Sequence, residues 1–268
     1  MTRSLIEVQD SVWGRSGGGQ SGVKVRCMTL NRPDKANALN VEMMQNLASA
    51  VAAQSADLHV LRSAHQRLFC AGADIAEFVA GPAALAAQEH VLLALIEQFS
   101  LSQVPLIAVI RGKASGAGVI LAALADVVLA SEDAELSCPE IRFGMYPVIV
   151  NAVLCTRVTH ALSNRMCLGQ SLAAVEAWRA GLVSEVIPLS SFDQQVEERL
   201  RFFSERPESL AISRQCRQLI SPPQLLLRQM QSVAPLMAEN YLSMGVREQI
   251  AAYLGGLGGG GEISNAAS

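Results

Sequence analysis

Val104-Pro105-Leu106-Ile107-Ala108-Val109-Ile110-Arg111-Gly112-Lys113-Ala114-Ser115-Gly116-Ala117-Gly118 is the stretch on which the fold turns. It opens as an uncharged apolar run, the pattern of a buried strand. Small residues then break the run, and Gly116 to Ala125 reads as a short helix of small and apolar side chains. Val127-Val128-Leu129-Ala130 follows as the next strand. Strand, helix and strand in succession argue for α/β layering with a largely parallel sheet.

The alternation continues outward from this stretch. Upstream, Leu58 to Arg62 reads as a strand and Ala83 to Ser100 as a helix. Asn40 is a good N-cap, with Val41, Met44, Leu47, Ala48 and Val51 at helical spacing behind it. The Met43-Met44 pair reads as core filler. Leu5-Ile6-Glu7-Val8 and Val23-Lys24-Val25-Arg26-Cys27-Met28 flank Gly17-Gly18-Gly19-Gln20-Ser21-Gly22 as a hairpin. Downstream of Asn151 the chain is mostly helical, interrupted by Leu182-Val183-Ser184-Glu185-Val186-Ile187. Asp193 to Arg201 has the mixed charges of a solvated helix face. The expected organisation is an α/β core over 1–195, a helical region over 196–254 and a flexible Gly-rich tail over 255–268.

Composition excludes several function classes. Half of the 268 residues are apolar, 17% are charged, and the formal net charge is −3. A phosphate-coating surface is absent, so nucleic acid is not an expected partner. The uncharged run Phe143 to Thr156, which no other in the chain exceeds, contains Pro147 and falls short of the ~18 apolar residues of a membrane span. Met1-Thr2-Arg3-Ser4 leads into no apolar h-region, so no signal peptide is expected. Six cysteines (27, 70, 138, 155, 167, 216) form no Cys-x-x-Cys pair and only four histidines accompany them. No metal site or disulfide framework is expected, and buried thiols in a reducing cytoplasm fit better.

Two short segments have the makings of backbone anion sites. Phe69-Cys70-Ala71-Gly72-Ala73-Asp74-Ile75 precedes a helical stretch, and Gly112 to Gly118 joins a buried strand to the helix it opens. Small residues let a ligand approach the main chain, and helix N-termini leave N–H donors free. The same residues also serve tight helix–strand packing, and composition alone does not separate the two uses. The second segment lacks the glycine spacing of a Walker motif. Glu140, in Ser137-Cys138-Pro139-Glu140-Ile141, sits among residues that read as buried. There a carboxylate either finds a structural partner or has a raised pKa suited to general acid–base work. His59, His65, His90 and His160 have no triad partners at recognisable spacing and read as surface or capping residues.

Taken in order, these segments resemble the crotonase, or enoyl-CoA hydratase/isomerase, family over roughly residues 5–254. Leu30-Asn31-Arg32-Pro33 with Ala36-Asn37-Ala38-Leu39 is similar to the opening of that family's first helix. The segments at Phe69–Ile75 and Pro105–Gly118 resemble its two oxyanion loops, and Pro139-Glu140-Ile141 with Gly144 and Pro147 its second acidic motif. Ala174, Glu176-Ala177 and Gly181-Leu182-Val183 match a later stretch. The resemblance implies a spiral of ββα units with a helical C-terminal region, assembled as a homotrimer or hexamer. It implies an acyl-coenzyme A thioester as substrate, with no permanently bound cofactor.

Under the same resemblance the enolate oxygen is held by the N–H groups of Ala73 and Ala117, and Glu140 carries the proton. Ala71, Gly72, Asp74, Gly116, Ile120 and Tyr146 are the expected substrate-binding residues, with Ala71 beside the adenine end. Hydratases of the family carry another glutamate where this chain has Ile120, which neither gives nor takes a proton. A single glutamate points to double-bond isomerisation, or to hydration with an unusual partner such as Asp74, Glu77 or Glu89. Ala76 stands where many relatives carry a basic residue for the coenzyme phosphates, so Arg32 and Lys35 are the expected coenzyme contacts. The alternatives are a polyketide-pathway dehydratase or decarboxylase on an acyl-carrier-protein thioester, and a catalytically silent member retained for binding.

Overall fold

The computed structural model describes residues 4–13, 22–53, 55–78 and 81–258. Strands β1 (Ile6–Trp13) and β2 (Val23–Leu30) form the expected antiparallel pair, with Ile6 opposite Leu30 and Trp13 opposite Val23. Their connection, including Gly17 to Ser21, lies outside the described residues. Helix α1 (Val41–Ala52) starts as predicted at Asn40, whose side chain accepts the Met43 N–H at 2.9 Å.

From there the chain repeats one motif. It lays β3 (Leu58–Ser63), then short β4 (Leu68–Cys70), then α2 (Ile75–Phe78) and α3 (Pro82–Leu101). The next turn is β5 (Leu106–Ile110), β6 (Lys113–Ser115) and α4 (Ala117–Leu124). After it come β7 (Val127–Ser131), β8 (Glu135–Ser137), a 3-10 turn at Pro139–Phe143, α5 (Val148–Leu154) and α6 (His160–Cys167). The last turn holds β9 (Leu172–Ala173), α7 (Ala174–Arg179) and β10 (Glu185–Ile187). The longer strands join one six-stranded sheet, ordered β1-β2-β3-β5-β7-β10 and parallel from β2 onward. The short ones join a second sheet, β4-β6-β8-β9, with only β9 antiparallel. One strand in each sheet followed by helix is the expected spiral of ββα units.

Strand β5 shows why the large sheet sits at the centre: all five residues are buried. Ile107 and Val109 face a cluster with Val25, Val60, Phe192 and Leu200, while Ala108 and Ile110 face the larger core under α1, α3 and α4. The period-2 alternation of a strand covered on both sides produces this division.

Four helices complete the described chain: α8 (Phe192–Ser204), α9 (Pro207–Ile220), α10 (Pro223–Leu242) and α11 (Met244–Gly258). The expected boundary at 195 falls inside α8, and Leu226, Met230 and Met237 of α10 belong to the main core. Asp126, between α4 and β7, holds α9 by ion pairs to Arg214 at 2.7 Å and Arg217 at 3.2 Å.

Three expectations need correction. Gly255 to Gly258 continue α11 rather than starting a flexible tail; 259–268 lie outside the described residues. His59 is neither a surface nor a capping residue. Its place in β3 buries it to 1% exposure, and burial, with Arg26 and Arg214 nearby, lowers its pKa to about 4. Of the six free thiols, Cys70, Cys138 and Cys167 are buried as expected, whereas Cys155 and Cys216 are exposed on helix ends and faces. Among the described residues no helix is long and apolar enough to cross a membrane.

Candidate active site

The first small-residue loop is held from below by the turn after β2. Asn37 adopts a left-handed conformation (φ 51°), which short polar side chains tolerate. Its amide donates to Ser63 Oγ at 2.8 Å and to the Phe69 carbonyl at 3.0 Å, and its oxygen accepts from the Arg32 N–H. Leu39 then brackets the loop: its N–H donates to the Gly72 carbonyl at 2.7 Å, and its carbonyl accepts the Asp74 N–H at 2.9 Å. This pairing turns the intervening Ala73 N–H away from Leu39. Among the described residues that amide donates to nothing.

The second loop meets the first through glycine. Gly116 (φ 50°, ψ −114°) occupies backbone space that a side chain rarely adopts, and its N–H donates to the Ser137 carbonyl at 2.9 Å. A Cβ on Gly72 would lie 3.7 Å from the Ala117 nitrogen, so the two loops are in van der Waals contact. Ala117 begins α4, and among the described residues its N–H too has no acceptor. As the first amide of a helix it also carries the positive end of the helix dipole.

Glu140 reaches the same point from the 3-10 turn at Pro139–Phe143, which is closed by Gly144 and Met145 N–H groups donating to its carbonyl. A Cβ on Gly116 would lie 2.4 Å from Glu140 Oε1, so the carboxyl rests on the glycine. Oε2 is out of solvent and, among the described residues, has no hydrogen-bond partner. Burial pushes the pKa of Glu140 up to about 7. A group that titrates there can both give and take a proton near neutrality.

Ala73, Ala117, Ile120 and Glu140 line one pocket of about 40 Å³. Its far wall comes from α3 (Leu85, Gln88, Glu89, Leu92) and from Met237 and Tyr241 of α10. No local feature of the sequence marks α10 as part of the site, because its approach is a tertiary event. The one local signal on α3 is the polar triplet Gln88-Glu89-His90 inside an apolar helix.

Other expected site residues have different surroundings. Asp74 turns away to pair with Arg32 at 2.6 Å and to accept the Ala76 N–H, and the Arg32 guanidinium also donates to the Ala38 carbonyl. Both serve to hold the first loop, so Arg32 is not a free cation for a coenzyme phosphate. Tyr146 lies outside the pocket lining, its hydroxyl donating to Asn164 Oδ1 at 2.8 Å. Ala71 is exposed and is not among the pocket-lining residues; its N–H donates to the Ala36 carbonyl at 3.0 Å, and Lys35, next to Ala36 in the chain, is exposed.

A family model for enoyl-CoA hydratase/isomerase matches residues 20–221. The chain belongs to that family. It is 37% identical over 172 residues to the 2,3-dehydroadipyl-CoA hydratase of Escherichia coli, covering 62% of this chain and 66% of that protein. It is 29% identical over 197 residues to enoyl-CoA delta isomerase 2 of Rattus norvegicus, covering 70% of this chain and 50% of that one. These matches thus span about half to two thirds of the relatives' length. Among solved structures, an enoyl-CoA hydratase from Bacillus halodurans superimposes with a TM-score of 0.78 over 91% of this chain and 99% of that one, at 19% identity. That likeness carries the fold, and it agrees with the two-sheet spiral described above.

Proposed function

We propose that this protein acts on an enoyl thioester of coenzyme A, stabilising the enolate between the Ala73 and Ala117 amides while Glu140 moves the proton at C2. The observation that carries this reading is the convergence of two acceptorless amides and an unpartnered carboxyl oxygen on one pocket. A carbonyl oxygen between the amides gains charge as the C2 proton leaves. Each preorganised donor of this kind contributes about 2.7–4 kcal/mol to the transition state. Ionised Glu140 takes the proton, and in a dienolate the same carboxyl can return it at C4, which shifts the double bond without any second acid. Relatives named as hydratases and as delta isomerases both accord with this shared enolate step.

Coenzyme A is the favoured carrier because relatives of the chain are named for coenzyme A thioesters, and exposed Ala71 and Lys35, which flank the Ala71–Ala36 hydrogen bond, are the residues offered to its far end. A carrier-protein thioester would lack the adenine that Ala71 is read as meeting. The apolar walls and small volume of the pocket favour a short acyl group. The test is a panel of short 2-enoyl and 3-enoyl coenzyme A thioesters, followed by conjugated-thioester absorbance and product mass. Double-bond migration or water addition in at least one member is expected. A protein that binds a non-hydrolysable acyl-coenzyme A yet turns over no member is a silent one, and the proposal fails.

A further inference from the structure

Three carboxylates lie close enough along the chain to supply what Ile120 does not, and the structure leaves one of them unengaged. Asp74 is consumed by Arg32 and the Ala76 N–H. Glu77 is consumed as well: its Oε2 accepts the Val41 N–H at 3.2 Å, at the start of α1, and the Gln88 side-chain amide at 2.9 Å. Glu89, half-buried on α3, lines the pocket that holds Glu140, and among the described residues it has no hydrogen bond or ion pair.

Its neighbour points the same way. Gln88 is 2% exposed and its Nε2 is committed twice, to the Asp74 carbonyl at 3.1 Å and to Glu77. Those two bonds fix which end of the amide faces where. The remaining oxygen, Oε1, on a residue that lines the pocket, is buried and among the described residues has no partner. A buried amide oxygen without a donor costs about 1–3 kcal/mol, a cost that a donor in the pocket would remove. Water is such a donor: it can give one hydrogen bond to Gln88 and one to a carboxylate, leaving a lone pair free.

We infer that Gln88 and Glu89 of α3 form a water-activating pair, so that the protein hydrates its enoyl thioester without the carboxylate that the Ile120 position lacks. This rests on the oxyanion-hole reading given above. Water held by Gln88 Oε1 and Glu89 attacks C3, forming the C3–O bond as Glu89 takes the water proton. The π pair of the C2–C3 double bond passes through C2 to the carbonyl oxygen, which the Ala73 and Ala117 amides hold as the enolate. Protonated Glu140 then gives its proton to C2, and the product is the 3-hydroxyacyl thioester. Glu89 ends protonated and Glu140 ionised, and exchange with solvent resets both. Burial pushes the pKa of Glu89 upward, which strengthens it as a base.

The test compares wild type, Glu89→Gln and Glu140→Gln, all confirmed folded by circular dichroism, on a short trans-2-enoyl-coenzyme A and its 3-enoyl isomer. Wild type hydrates the 2-enoyl thioester. Glu89→Gln should lose about 10²- to 10⁴-fold in hydration, and should lose more in hydration than in isomerisation of the 3-enoyl substrate. Glu140→Gln should lose both. A wild type that isomerises but does not hydrate overturns the water-activating pair and leaves the Glu140 reading standing. So does a Glu89→Gln protein that hydrates as wild type does. A wild type inert on both substrates overturns the two readings together.

Discussion

Glu140 is the residue on which local physics and chemistry meet. The walls that make it useful as a proton carrier, Ile120, Pro147 and Val150 among them, are the same walls that strip its solvent. With a pKa near 7 it is ionised in half the molecules at neutrality, so proton abstraction from C2 should rise as pH climbs through about 7 and then level. Stability runs the other way. A carboxyl whose pKa is raised on folding binds its proton more tightly in the native state than in the unfolded one. Its contribution is therefore intact below the ordinary value near 4.5 and is lost as pH rises through 7. Glu140→Gln should accordingly melt higher than wild type at pH 8 and gain much less at pH 5. For a chain of this size each kcal/mol is about 2–4 °C in Tm. A Tm difference that is flat across that range would mean the carboxyl is not desolvated.

At the scale of elements, the site is a junction between the tips of two parallel units, and glycine makes the junction possible. Gly116→Ala would put a methyl group where Glu140 Oε1 lies and force an alanine into a φ of +50° with ψ near −114°. The variant should fold less stably by about 1–3 kcal/mol and lose most of its turnover. Normal activity in Gly116→Ala would show that the carboxyl does not rest there. Much of this junction was legible in the sequence. The uncharged run at 104–110, the small residues of 112–118 and the capping Asn40 each carry a local signal strong enough to place a strand, a loop and a helix. The three-residue strands β4, β6 and β8 were not legible, being too short for any period to register. Nor was the α3–α10 wall, because residues 85–92 and 237–241 meet only through tertiary packing. Arg32 and Asp74 were legible as residues that matter, but their mutual ion pair diverts them from ligand to loop support. His59 shows the limit of a residue-type rule: it stands among the first four residues of β3, Leu58 to Leu61, all of which are buried.

Over the whole molecule, α10 closes the pocket with one face and leaves the other in solvent. Leu236 is 57% exposed, Leu242 41%, Met244 76% and Tyr253 47%, more apolar surface on two helices than scattered side chains account for. A homotrimer or a pair of trimers using the region from Leu225 to Leu254 would cover it, and light scattering at micromolar concentration should give a mass of three or six chains. A monomeric mass would contradict that assembly. If α10 is clamped by neighbours, the pocket wall is as much a property of the assembly as of the chain. The chemistry itself turns on a single proton. In deuterium oxide, with a short acyl thioester bound, wild type should exchange the C2 hydrogens for solvent deuterium, read by mass spectrometry of the recovered thioester. Folded Glu140→Gln, its amides intact, should exchange about 10²- to 10⁴-fold more slowly. Equal exchange in the two proteins would place the proton carrier elsewhere than Glu140.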